Sequence, residues 1–314
     1  MDPLAPFSTT TRDWFNRAFS EPTEAQALAW PAIASGKHTL ISAPTGSGKT
    51  LAAFLWAIDQ LAFRRGNSKS PAVVYVSPLK ALSYDVDRNL RVPLAGIGAD
   101  LSVAVRTGDT PQGERQKMLR NPPDILITTP ESLYLMLTGQ AQHLFSGTRW
   151  LIIDEIHAVA STKRGAHLAL TLERLSNLAG HEPQRIGLSA TQNPLAEIGR
   201  FLGGRTREVQ VVDAGVSKPL DLKIQVPVES MAQPDDGPAE RAELDPLAGS
   251  EPTRNSIWPA IYPQLLELVR AHRSTIIFVN ARRGAERLAL RLNELAEAEI
   301  ARAHHGSLAR EERT

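Results

Sequence analysis

The stretch Ala43-Pro44-Thr45-Gly46-Ser47-Gly48-Lys49-Thr50 decides how the rest of the chain is read. It follows His38-Thr39-Leu40-Ile41-Ser42, a short run of strand type, and precedes Leu51-Ala52-Ala53-Phe54-Leu55-Trp56-Ala57-Ile58, which has the make-up of a helix. Strand, small-residue loop and helix is the context in which the pattern G-x-x-x-x-G-K-[ST] binds phosphate, and the loop fits it except that Ala43 stands at the first glycine. Gly46 and Gly48 let the backbone curl until successive N–H groups and the following helix N-terminus face one anion. Thr45, Gly46, Ser47 and Gly48 are therefore the candidate cradle. Lys49 is placed to reach the β- and γ-phosphates of a nucleotide, and the Thr50 hydroxyl to ligate Mg²⁺.

The 314 residues suggest about two domains at the usual ~150 residues each. There is no cysteine, which excludes disulfides, zinc–thiolate sites and iron–sulfur clusters. Met1-Asp2-Pro3-Leu4-Ala5-Pro6 has no apolar core, and no run approaches the ~20 residues of a membrane span, so a cytoplasmic location away from membranes is expected. The net charge of +1 makes no bulk electrostatic case for nucleic acid, which leaves any grip on phosphates to local arginines and backbone amides.

Upstream of the loop, Phe7, Trp14, Phe15 and Phe19 read as core, and Pro22-Thr23-Glu24-Ala25-Gln26 opens an apolar helix through Leu28, Trp30 and Ile33. Downstream, Ala72–Val76 is a continuous apolar run of the kind buried on both faces of a parallel sheet, Trp150–Ile153 is a further buried strand, and Val103–Val105, Ile125–Ile127 and Arg185–Leu188 read as strands beside them. An α/β fold is predicted. Three runs end in loops of hydroxyl residues, glycine or proline: Ser77-Pro78-Leu79-Lys80, Arg106-Thr107-Gly108-Asp109-Thr110 and Thr128-Thr129-Pro130-Glu131. Each alone reads first as an ordinary strand-to-helix turn. Three in series, on the sheet edge where α/β folds bind ligands, suit backbone and hydroxyl contacts to a phosphodiester chain.

Trp150–Ile153 runs out into Asp154-Glu155-Ile156-His157. Two carboxylates at the mouth of a buried strand are costly without a partner. In a phosphate-loop enzyme the acid at this strand end holds Mg²⁺ and its neighbour orients and deprotonates the attacking water, which assigns Asp154 to the metal and Glu155 to the water. His157 has no second ligand at metal spacing, and a coupling hydrogen bond is its expected role. Ser161-Thr162-Lys163-Arg164-Gly165 reads as a basic loop leading into a helix with Leu168, Leu172 and Leu175 on one face and Gly180 at its end. The Lys163-Arg164 pair is either solvated or in contact with phosphate. Ser189-Ala190-Thr191 offers two hydroxyls that can link the carboxylates to a following domain.

Together, residues 43–50, 78–82, 128–133, 154–157 and 188–191 resemble, in order and spacing, helicase motifs I, Ia, Ib, II and III of superfamily 2. Pro22-Thr23-x-x-Gln26 resembles the Q motif of the same group, which implies that Gln26 reads adenine. Asp154 through Leu172 and Thr275 through Arg282 resemble the large helicase-related (Lhr) proteins of bacteria and archaea. The resemblance implies two RecA-like domains, ATP hydrolysis with Mg²⁺ in the cleft between them, and 3′-to-5′ translocation on single-stranded nucleic acid. The partner is usually DNA, with RNA or an RNA–DNA hybrid as the alternative, and the family is linked to DNA repair. The candidate nucleic-acid contacts in the first half are Pro78, Lys80, Arg106, Thr107, Gly108, Thr129, Pro130, Glu131, Lys163 and Arg164.

Beyond the third motif, Val209–Val212 and Leu220–Val226 read as strands, and the Pro-, Gly- and acid-rich residues 227–256 as a flexible linker. A helix is expected from Trp258 through Ile261, Leu265, Leu268 and Val269, then a strand over Thr275–Val279. Asn280-Ala281-Arg282-Arg283-Gly284 resembles motif IV and His304-His305-Gly306-Ser307-Leu308 the next block, adding Asn280, Arg282, His305 and Gly306 to the nucleic-acid candidates. The expected organisation is a RecA-like phosphate-loop domain over 1–226, a linker over 227–256 and the incomplete start of a second RecA-like domain over 257–314. Motifs V and VI, which the family places next, do not appear before Thr314. Strand 275–279 is then expected to lack neighbours, and the chain to bind ATP far better than it hydrolyses it, because the arginine finger of motif VI is worth ~10³–10⁵ in rate. Three readings stand: a DNA helicase motor, an RNA helicase of the same fold, and a non-catalytic piece that binds ATP or nucleic acid.

Overall fold

Strands β1 (His38–Ser42), β2 (Val73–Val76), β3 (Val103–Arg106), β4 (Ile125–Thr128), β5 (Trp150–Ile153), β6 (Gln184–Ser189) and β7 (Val209–Asp213) form one sheet in the order β3-β4-β2-β5-β6-β1-β7. Every pairing is parallel. This is a computed structural model of the chain, and it describes residues 2–63, 70–190, 193–215, 221–225 and 258–305. The chain divides into two units, Met1–Pro219 and Leu220–Thr314.

Parallel strands need crossover helices, and the helices cover both faces of the sheet. Side chains alternate accordingly. Val73 and Tyr75 of β2, with Ile152 of β5, pack into one core with α1 (Thr9–Ala18), α2 (Glu24–Ala34), α3 (Lys49–Ala62) and α4 (Lys80–Ile97). Val74, Val76, Leu151 and Ile153 pack into the other with α6 (Pro130–Thr138), α7 (Ile156–Ala160), α8 (Lys163–Ala179) and α9 (Leu195–Gly203). The helix α5 (Gln112–Arg120) has no buried residue and lies between β3 and β4 in sequence. The seven expected strand runs of this unit are all present, and the fold is the α/β RecA-like class.

Two local readings are corrected in this unit. Lys163 and Arg164 are not in a loop: Thr162 caps α8 by accepting from the Gly165 N–H at 3.1 Å, so both basic residues sit in the helix's first turn. Phe19 is 43% exposed, at the rim of the cluster in which Phe7, Trp14 and Phe15 are buried.

In the second unit α10 (Trp258–Ala271) and α11 (Arg282–Ala296) bury Leu266, Leu288 and Leu292 between them. Residues 275–279, read as a strand, have no ladder partner among the described residues. Their alternation survives nonetheless: Ile277 and Val279 pack on the two helices while Ile276 and Phe278 are 80% and 91% exposed. Residues 221–225 likewise form no strand; Leu222 and Ile224 are exposed, and Asp221 pairs with Lys223 at 3.1 Å. The linker 227–256, Thr191 and Gly306 lie outside the described residues.

Candidate nucleotide site and nucleic-acid edge

The phosphate loop leaves β1 and enters α3 with Gly46 at φ 80° and Gly48 at φ 77°, the left-handed region that glycine alone adopts freely. A Cβ on Gly48 would also lie 2.5 Å from Gln26 Nε2. The preceding helix supports the loop from beneath. Thr23 Oγ1 donates to the Ser47 carbonyl at 2.7 Å, and the amide of the buried Gln26 donates to the Gly48 carbonyl at 3.4 Å. Gln26 Oε1 accepts from the Thr23 N–H at 3.0 Å, closing a capping box on α2. Gln26, expected to read adenine, thus has both amide atoms bonded to Thr23 and the phosphate loop. Lys49 is 8% exposed and its ammonium donates to the carbonyls of Ala43 and, at 2.8 Å, Pro44. Burial pushes Lys49 below its ordinary pKa, while the nearby Glu155 and Asp154 pull it back up. Ser47 Oγ is buried with no hydrogen-bond partner among the described residues, a donor left over inside the cradle.

Two strands away, β5 ends in Asp154, 8% exposed. Its Oδ1 accepts from the Glu155 N–H at 2.8 Å and its Oδ2 from the Tyr75 hydroxyl. Glu155 turns the chain at φ 45°, ψ 39°, a left-handed conformation that costs a non-glycine residue ~1–2 kcal/mol. Such strain persists where surrounding structure holds it, commonly at functional sites. His157 bridges the carboxylate to the next strand: Nε2 lies 3.3 Å from Glu155 Oε2, while Nδ1 accepts from the Ala190 N–H at 3.2 Å and lies 3.4 Å from Ser189 Oγ. Tyr75 was not among the expected site residues. Burial, reinforced by Asp154, pushes its phenol far above the ordinary value, so it stays a protonated donor. The signal available for it was an aromatic hydroxyl within an otherwise aliphatic strand.

The sheet order divides the carboxyl edge. The ends of β1, β6 and β5 carry the loop, Ser189 and the carboxylates; the ends of β2, β4 and β3 lie side by side and carry the three hydroxyl-rich loops. These loops are tied together. Thr128 Oγ1 donates to the Arg106 carbonyl at 2.7 Å, and Lys80 pairs with Asp109 at 2.9 Å. Arg115 donates to the carbonyls of Gly108 at 2.8 Å and Thr110 at 2.7 Å, Arg106 donates to the carbonyl of Thr107, and Thr129 caps α6 ahead of Pro130. Arg164 Nε meets Glu131 Oε1 at 2.7 Å and its Nη2 donates to the Pro78 carbonyl at 3.1 Å. Lys163 is exposed beside it. Burial alone would raise Glu131, but the bond and charge of Arg164 more than offset this and hold it below its ordinary pKa.

In the second unit Asn280 precedes α11 and Arg282 is its first residue, with no side-chain cap from Ala281 between them, and His305 Nε2 lies 2.8 Å from Glu286 Oε1. A cavity of about 1500 Å³ beside α4, α5 and β3 is lined by none of residues 43–50, 154–157 or 189–190. Among the described residues no helix is long and apolar enough to cross a membrane.

The DEAD/DEAH box helicase family model matches residues 23–198, more than half of the chain. The Lhr helicase/probable uracil glycosylase of Mycolicibacterium smegmatis is 48% identical over 99% of this chain and 22% of its own length. The ATP-dependent helicase Lhr-Core of Saccharolobus solfataricus is 40% identical over 96% of this chain and 34% of its own. The structure of Mycobacterium smegmatis helicase Lhr bound to ssDNA and AMP-PNP superposes with a TM-score of 0.82 at 50% identity, covering 100% of this chain and 40% of that one. The chain thus spans between about a fifth and a third of the length of these curated relatives. It belongs to the DEAD/DEAH box helicase family, and within it to the Lhr helicases, whose N-terminal portion it matches.

Proposed function

We propose that this chain is the nucleotide-binding part of an ATP-driven helicase motor that moves 3′-to-5′ on single-stranded DNA. The observation that carries the reading is the chain of contacts in which Glu155 Oε2 lies 3.3 Å from His157 Nε2 while His157 Nδ1 accepts from the Ala190 N–H, beside a buried lysine in a phosphate loop. Thr45 to Thr50 would surround the phosphates with N–H groups, and Lys49 would exchange the Ala43 and Pro44 carbonyls for the β- and γ-phosphates. The Ser47 hydroxyl, without a partner among the described residues, suits the same anion.

The donors on hand fit Mg²⁺. The Thr50 hydroxyl and the Asp154 carboxylate are hard oxygen ligands, and among the described residues no cluster of three acids or histidines makes a cage of its own. That matches an ion which uses one or two protein oxygens and takes the rest from phosphates and water. Bound there, it would neutralise charge on the transferred phosphoryl group. Glu155 would orient the attacking water and take its proton as the oxygen bonds to the γ-phosphorus and the bond to the β-phosphate oxygen breaks. His157 would report that change to the end of β6, and Ser189 with Thr191 would pass it to the next domain.

Pro78, Lys80, Arg106, Thr107, Gly108, Thr129, Pro130 and Lys163 are the proposed contacts to the strand from the first domain. Arg164 and Glu131 act there through each other. Asn280, Arg282, His305 and Gly306 are proposed for the second domain, with domains over 1–226 and 257–314 joined by 227–256. The ssDNA in the Lhr relative's structure favours DNA over RNA, and a cytoplasmic location suits such a motor. With the chain extended through motifs V and VI, Glu155→Gln should bind a fluorescent ATP analogue as tightly as the parent while losing DNA-stimulated phosphate release. Undiminished turnover would remove Glu155 from the chemistry.

A further inference from the structure

We infer that Tyr75 is a positioning residue for the metal-holding carboxylate, fixing Asp154 relative to the phosphate-loop helix. This rests on the reading of Asp154 as the Mg²⁺ ligand. The geometry has three parts. Tyr75 pairs in register with Ile152, two residues before Asp154, and the Asp154 N–H bonds the carbonyl of Val76 at 2.9 Å, so the two residues are held side by side by the β2–β5 ladder. The Tyr75 ring stacks on Phe54 of α3 at 5.2 Å between centroids and 29° between planes, and both are fully buried. Phe54 lies one helical turn after Thr50 on the same face of α3. One rigid side chain therefore spans from the helix that bears one proposed ligand to the carboxylate that is the other.

The hydroxyl has no packing purpose. A phenylalanine would fill the same space and carry no polar atom into the core, whereas a buried phenol is costly unless its O–H finds an acceptor. Here the acceptor is Asp154 Oδ2, and the Glu155 N–H takes Oδ1. With one donor on each oxygen the carboxylate is held in a single orientation, and each oxygen keeps lone-pair capacity for a metal or its water. Outer partners of ligating carboxylates act in this way, and their loss typically costs about 10- to 100-fold in metal affinity.

The test is Tyr75→Phe, which keeps the ring on Phe54 and removes only the oxygen. Binding of a fluorescent ATP analogue is followed while Mg²⁺ is titrated, and again in EDTA. The expected result is a Mg²⁺ midpoint raised about tenfold or more, with metal-free nucleotide binding unchanged. The midpoint reads the folded fraction alone, so partial loss of stability does not imitate it. An unmoved midpoint, or equal weakening with and without metal, overturns the assignment. Asp154→Asn run in parallel separates the two levels. If it abolishes the Mg²⁺ dependence while Tyr75→Phe is silent, Tyr75 alone has been misassigned. If it leaves the dependence intact, the reading of Asp154 fails and takes the Tyr75 assignment with it.

Discussion

Arg164 lies on the face proposed to grip a nucleic-acid strand, yet its guanidinium is already bonded to Glu131 at 2.7 Å and to the Pro78 carbonyl at 3.1 Å. From the first turn of α8 it ties the first turn of α6 to the loop after β2. If it is a tie, Arg164→Ala should loosen the loops without changing how many phosphates are neutralised. The side chains are 48% and 56% exposed, so solvent screening limits the pair to under about 1 kcal/mol, and the expected loss of ssDNA affinity is at most about fivefold. That loss should be the same at every salt concentration. A phosphate contact behaves differently: its removal lowers the slope of log affinity against log salt by about 0.7, which over a fourfold rise in salt is about a 2.6-fold change in the ratio of mutant to parent affinity.

The assay is fluorescence anisotropy of labelled ssDNA across that salt range, on Arg164→Ala, on Lys163→Ala and on the reversed pair Arg164→Glu with Glu131→Arg. A tie predicts an unchanged slope for Arg164→Ala and recovery of most of the affinity in the reversed pair. Lys163→Ala, at a proposed phosphate contact, should lower the slope by about 0.7. A slope that falls by that amount for Arg164→Ala, with no recovery on reversal, would refute the reasoning and return Arg164 to the phosphates.

Two further outcomes follow from the packing. A Cβ on Gly165 would lie 2.0 Å from the Val159 carbonyl oxygen and 2.8 Å from its carbon, backbone atoms that cannot rotate aside, so Gly165→Ala should destabilise by about 1–3 kcal/mol. A urea unfolding midpoint equal to the parent's would show that α7 and α8 part without cost. Burial first, with Arg185 and Arg207 adding and Glu182 opposing, holds His38 below its ordinary 6.5, and its Nδ1 accepts from the Arg185 N–H at 3.0 Å. The unfolded chain then binds more protons than the native one as the pH drops, so this contribution is full above about pH 6.5 and is lost as pH falls through the folded value. His38→Asn, whose amide oxygen can accept the same bond, should flatten that limb of a plot of Tm against pH; an identical limb would assign it to other groups.

What was legible in the sequence was local. Val73–Val76, Ile125–Thr128 and Trp150–Ile153 announce buried parallel strands because every position along them is apolar or hydroxyl-bearing, and each is completely buried in the sheet. The phosphate loop was legible because its glycines are needed for backbone reasons, and both adopt φ near 80°. Lys163 and Arg164 were misread as loop because Gly165 follows them, whereas Gly165 is there to let α8 approach Val159. Thr23-x-x-Gln26 carries a capping-box pattern as well as a nucleotide motif, and the amide bonds actually present are the box and the loop carbonyl.

Partnerships across long separations were not legible. Tyr75 meets Asp154 from 79 residues away, Arg164 meets Glu131 from 33 and Lys80 meets Asp109 from 29. This bears on how a chain of net charge +1 could hold a polyanion. Counting basic residues on the carboxyl edge overstates the positive charge offered to a strand, because Lys80 and Arg164 each face a carboxylate. What the edge presents consistently is backbone, the N–H groups at the start of α6, while the buried hydroxyls of Thr107, Thr128 and Thr129 fix the loops from within. A grip built from such groups follows the sugar–phosphate chain and reads no base.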